Sequence, residues 1–205
     1  MTKSLLIKIT VGIAALAIFG ILFVRSLADT RGAAYTIPTQ HLKGWTLALE
    51  PASSPNEPLL ALRPSPELST GLFKQVFSRA MESLNTPASP MVALMLRSEF
   101  DRVAGDRLTQ EALLVAAQAA GLPGPGFTPL YMVHRYISEP GRIRQAYFVY
   151  FNAPEIHAFR REIGLDADAL APVLFVAAAG ADFNSWLPQR VNASEDCLAP
   201  IEIAG

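Results

Sequence analysis

Twenty consecutive positions near the start of the chain, Leu5–Val24, are apolar or near-apolar apart from Lys8. The apolar side chains there follow no period, so a helix built from them is apolar all round. At about 1.5 Å per residue it spans about 30 Å, the thickness of a bilayer's hydrocarbon core. The pattern predicts a single-pass N-terminal transmembrane helix within residues 1–26. A cleaved signal peptide is the competing expectation, since Ser26-Leu27-Ala28 supplies the small residues of a cleavage site. Two features oppose cleavage: the run exceeds the usual apolar region of roughly 7–15 residues, and Arg25 stands between the run and that site. Lys3 and Lys8 lie on one side of the run and Arg25 and Arg31 on the other, so the positive-inside rule leans only slightly toward a cytoplasmic N-terminus. A short tail before a large domain also suits export of that domain, and an extracytoplasmic location is expected.

After a polar linker, residues 27–44, other periods take over. Trp45, Leu47 and Leu49 alternate with Thr46, Ala48 and Glu50, the pattern of a half-buried strand. The stretch PASSPNEP breaks it, and Leu59–Arg63 reads as a returning strand. Ser65-Pro66 is a helix start, a capping hydroxyl before a proline in the first turn. Leu68, Leu72, Val76, Ala80 and Leu84 then recur every four residues, predicting a helix over Pro66–Leu84. Ser89-Pro90 repeats the start signal, and Val92, Met95, Leu96, Phe100 and Val103 fit a second helix, although Met91–Leu96 taken alone also suits a strand. Thr109 caps a third helix, Gln110–Ala120, closed by Gly121.

The strongest strand signal comes next. Leu130–Ser138 and Arg144–Asn152 are rich in aromatic and β-branched residues and flank Glu139-Pro140-Gly141-Arg142. Symmetric pairing about Pro140-Gly141 sets Val133 opposite Phe148, Tyr131 opposite Tyr150 and His134 opposite Tyr147. Asn152 with Glu155 reads as a capping box for a helix carrying Ile156, Phe159 and Ile163 and ending at Gly164. Val173–Ala178 has the composition of a central buried strand. A helical turn is expected at Asp182–Leu187, and Leu198–Ile203 reads as an edge strand because Pro200 removes a donor. Together the elements predict an α+β domain over residues 45–205, a largely antiparallel sheet with helices on at least one face.

Charge narrows the range of partners. The first 26 residues carry Lys3, Lys8 and Arg25 and no acid, so the whole-chain charge of −1 leaves −4 on the rest. A mildly acidic domain offers no electrostatic case for nucleic acid or anionic lipid. The helix pair before residue 121 does not change this, because QEALLVAAQAAG has no Arg or Lys to meet phosphates. Cys197 is the only cysteine, so the domain must hold by packing, and the thiol reads as a small buried hydrophobe.

Candidate chemistry is sparse. His41, His134 and His157 have no zinc-helix spacing, so no metal or other cofactor is expected. No G-x-S-x-G elbow occurs, and GLPGPGF places prolines where a phosphate loop needs backbone donors. Glu99, Asp101 and Asp106 are interspersed with arginines, as on a solvated helix face. The arginines remain: Arg135, Arg142 and Arg144 on or beside the hairpin, and Arg160 and Arg161 on the helix after it. Guanidinium groups suit carboxylates and anions, and arginine and tyrosine are enriched where proteins meet. The expected function is a non-catalytic accessory domain, anchored in the membrane and meeting a protein partner of the cell envelope. The alternatives are a hydrolase using Asp/Glu or His, and a binder of a small anion through the arginines.

Overall fold

The computed structural model describes the backbone of residues 3–80, 83–104, 108–139, 142–179, 183, 187 and 190–205, and side chains within these except at 3–11, 26–31, 137–139, 142–143 and 193–194. The chain divides into two compact units, Met1–Ala33 and Ala34–Gly205.

The first unit is one helix, α1 (Lys3–Gly32). Every large apolar side chain from Ile13 to Val24 on it is more than half exposed. Among the described residues no helix is long and apolar enough to cross a membrane. The described side chains of α1 are those of residues 12–25, so the first part of the Leu5–Val24 run lies outside them.

The second unit contains eight strands and five helices among the described residues. In chain order they are β1 (Tyr35–Pro38), a 3-10 turn at Thr39–Leu42, β2 (Thr46–Leu49), β3 (Pro58–Arg63), α2 (Pro66–Ala80), β4 (Val92–Leu96), α3 (Arg97–Ala104), α4 (Gln110–Ala119), β5 (Thr128–Glu139), β6 (Arg142–Asn152), α5 (Pro154–Glu162), β7 (Val173–Ala179), α6 (Ala193–Asp196) and β8 (Cys197–Ala204). One sheet holds all the strands in the order β1-β8-β5-β6-β7-β4-β3-β2. Only the β1–β8 pairing is parallel, so the α+β sheet is mixed.

Alternation along the strands sorts the apolar side chains onto two faces. Leu94, Met132, Val149 and Leu174 join Leu72 of α2, Phe100 of α3, Leu113 of α4 and Phe159 of α5 in the larger core. Ala93, Val133, Phe148 and Phe175 form a smaller cluster on the other face, closed by Leu170 and Leu187. β7 is buried along nearly its whole length, as its composition predicts. The hairpin register is the symmetric one, with Val133 opposite Phe148, Tyr131 opposite Tyr150 and His134 opposite Tyr147.

Several expectations give way to tertiary context. The folded unit starts at Ala34 rather than Trp45, because Tyr35 and Ile37 of β1 are buried in the core. The single helix expected after Pro90 is a strand followed by a helix: all five side chains of β4 are buried, which a strand inside the sheet permits. Pro200 does not mark an edge. β8 pairs with β5 through Cys197–Pro200 and with β1 through Ile201–Ala204, so Pro200 sits where one partner hands over to the other. Cys197 is exposed rather than buried. Asn152 does not cap α5: Ala153 holds that position without a side-chain bond, and Asn152 donates to the Gly126 carbonyl. Glu155 accepts from the Gly126 N–H at 2.8 Å. That contact requires glycine, since a Cβ at Gly126 would lie 2.6 Å from Pro154 Cγ and 2.8 Å from Glu155 Oε2. Most of the helical turn expected at Asp182–Leu187 lies outside the described residues.

Candidate functional site

The β5–β6 hairpin is the longest feature of the sheet, twelve residues on one strand and eleven on the other. Its flanking partners stop early. β8 pairs with β5 only as far as Val133, and β7 pairs with β6 only from Gln145. Among the described residues, the hairpin therefore continues past both neighbours over Ile137–Glu139 and Arg142–Arg144 as a short two-stranded arm, with Glu139 opposite Arg142 at its end. Tyr136, opposite Gln145 at the base of this arm, is 56% exposed. Ile137 is opposite Arg144 and Arg135 opposite Ala146, so alternation places Arg135 and Arg144 on one side of the ribbon.

The arginines divide by environment. Arg135 lies on the side of the smaller cluster, 5.8 Å from the Phe148 ring. It donates to the Arg190 carbonyl and pairs with Asp196 at 2.9 Å, fastening β5 to the segment before β8. Burial pushes the Asp196 carboxyl up, but the hydrogen bond from Arg135, the Asn192 N–H and the Arg135 charge together hold it below the usual carboxylate value. Arg144 is half-buried, and Arg142 occupies the first position of β6. Arg161 is exposed on α5. Arg160, next to it, is 1% exposed. Its guanidinium pairs with Glu99 at 2.6 Å and donates to the carbonyls of Leu94, at 2.7 Å, and Asp166, at 2.9 Å. The fold thus places Arg142 and Arg144 in the arm and Arg135 at its base, and sets Arg160 among the helix-side core residues.

Other polar groups are structural in their contacts. His134 stacks on Tyr147 at 4.4 Å and shares a hydrogen bond with the Gln145 side chain. His157 Nδ1 lies 2.9 Å from the Ala167 carbonyl. Tyr131 and Tyr150 stack at 5.3 Å. Burial raises both phenols, helped at Tyr131 by Tyr150, Cys197 and Asp196 and at Tyr150 by Asp168. Among the described residues no three His, Cys, Asp or Glu side chains converge as a metal site would require.

A cleft of about 360 Å³ is lined by Glu50, Glu57, Pro58, Met91, Phe175 and Phe183 among others. Glu50 is held by Arg63 through two bonds of 2.7 Å. The Glu57 carboxyl is pulled down by the N–H groups of Ser54 and Ser53 and the Ser53 hydroxyl, so it stays ionised. A carboxylate held this way is a poor proton donor near neutral pH. The pairings Arg160–Glu99 and Arg135–Asp196 carry no sequence signal, because both join residues about sixty positions apart. No family model, curated protein or solved structure matches the chain.

Proposed function

We propose that the protein is a non-catalytic accessory domain of the cell envelope, tethered by the Leu5–Val24 run, with residues 34–205 on the extracytoplasmic side. In this reading the β5–β6 arm is the surface that meets a protein partner. The observation that carries it is the arm itself, a ribbon outrunning both flanking strands that contains Arg142 and Arg144 and has Arg135 and the exposed Tyr136 at its base. Tyrosine and arginine supply contact area, hydrogen bonding and charge at interfaces. The partner's acidic groups are assigned to the Arg142–Arg144 end, the part of the hairpin that outruns both neighbouring strands. The tether is supported by α1, whose large apolar side chains from Ile13 to Val24 are each more than half exposed. Leaving them in water is unfavourable by about 25 cal/mol per Å².

The test is the double change Arg142→Glu and Arg144→Glu in the full chain in its host membrane. The fold should persist while cross-linking to the native partner is lost. Unchanged cross-linked products together with an unchanged melting curve refute the arm as the contact. Mass spectrometry of the membrane fraction checks the tether: the intact N-terminal segment is expected, and a mature chain beginning near Asp29 refutes it.

A further inference from the structure

The cleft of about 360 Å³ is built from separate stretches of the chain: the loop between β2 and β3, the residues just before β4, and Phe175 of β7 with Phe183 beyond it. Its walls are largely apolar. Pro51, Pro58, Met91 and Leu187 line it, and Phe183 packs edge-on against Phe175 at 5.7 Å. A concave apolar site of this size with a few polar groups is where small molecules bind.

Charge narrows the choice of molecule. Among the described residues, the charged groups lining the cleft are Glu50 and Glu57, and no Lys, Arg or His lines it. Glu50 is neutralised, because Arg63 donates to both of its oxygens at 2.7 Å. Glu57 is held by neutral groups instead. The N–H groups of Ser53 and Ser54 donate to its Oε2 at 2.6 and 2.9 Å, and the Ser53 hydroxyl donates at 3.0 Å. These donors fix the carboxylate and favour its ionised form, and all of them act on one oxygen. Among the described residues Oε1 has no hydrogen-bond partner. Arg97, whose N–H donates to the Glu57 carbonyl, pairs its own guanidinium with Asp101 at 2.9 Å.

We propose that this cleft binds a small organic cation, an apolar body carrying one primary ammonium group. The ammonium donates to Glu57 Oε1, a charge-assisted bond to an acceptor already fixed in place. The body lies against Phe175 and Phe183, where it buries apolar surface and gains the attraction of a cation for aromatic rings. A carboxylate of the same shape meets negative charge and is repelled. A bare metal ion does not suit the cleft, since among the described residues no three His, Cys, Asp or Glu side chains converge. No residue of the β5–β6 arm lines it, so the inference is independent of the proposed partner surface.

Calorimetric titration of the full-length chain in nanodiscs of zwitterionic lipid, with empty nanodiscs as the blank, tests it with phenyl probes of differing charge. Phenethylammonium should bind saturably. Phenethyl alcohol, which lacks the charge, should bind at least about tenfold more weakly, and phenylacetate should not bind. Glu57→Gln keeps an oxygen for the serine donors and removes the charge, so it should weaken phenethylammonium about tenfold. Phe183→Ala removes one aromatic wall and should weaken it several-fold. The absence of saturable phenethylammonium binding overturns the inference. So does equal affinity for the alcohol or for phenylacetate, a comparison made on the unaltered chain that needs no variant to fold. Unchanged phenethylammonium affinity in Glu57→Gln or in Phe183→Ala also overturns it.

Discussion

Replacing Arg160 tests the balance of forces in the core more sharply than any other single change. Arg160→Met keeps much of the side-chain volume and removes the guanidinium. Glu99, only 12% exposed, would then hold a charge with one remaining partner, the Leu96 N–H at 2.9 Å. The carbonyls of Leu94 and Asp166 would lose charged donors. Breaking a buried pair from one side costs about 3–5 kcal/mol, a large share of the roughly 5–15 kcal/mol that stabilises a domain. Glu99→Met alone leaves the arginine its two carbonyl acceptors and should cost about 2–4 kcal/mol. The double variant removes both charges at once and should cost clearly less than the sum of the two, with a coupling of about 1–3 kcal/mol. Urea unfolding of residues 34–205 carrying Trp186→Phe, followed by the fluorescence of Trp45, reads these differences. Trp45 reports on the core because it packs edge-on against Phe127 and Phe151 at 5.1 and 5.6 Å. A loss below about 1 kcal/mol for Arg160→Met, or strict additivity in the double variant, refutes the reasoning.

Two further outcomes follow from the fold. A chain starting at Ala34 should melt in one cooperative transition, whereas one starting at Trp45 loses the buried Tyr35 and Ile37 and should melt much lower or aggregate; equal melting temperatures would show that β1 contributes little. Asp196 titrates below its unfolded value, roughly 3.9, so its contribution is full above that pH and is lost as pH falls through the lower folded value. Asp196→Asn should therefore narrow the stability gap between about pH 6 and about pH 3, and an unchanged gap in denaturant titrations counts against the Arg135–Asp196 pair as the cause.

By itself the sequence determined what depends on neighbours along the chain. Ser65 and Thr109 cap α2 and α4 as their spacing predicts, with bonds of 3.3 and 3.1 Å to the N–H three residues on. The hairpin register was legible too, because slipping it by one would turn Val133 and Phe148 to the wrong face. Tertiary structure decided what depends on residues far apart. VALML fits a helix face or a strand equally well, and only its burial between β3 and β7 makes it a strand. The proline of β8 is tolerated away from the edge because β1, drawn from the expected linker, takes over the pairing beyond it. The arginines were visible as a class, but their roles were not. Arg160 and Arg161 are adjacent in the chain, yet the helix turns one onto Glu99 in the core and the other to solvent. That assignment depends on where α3 lies, and α3 is placed by the packing of Phe100, which no local pattern around residue 160 contains.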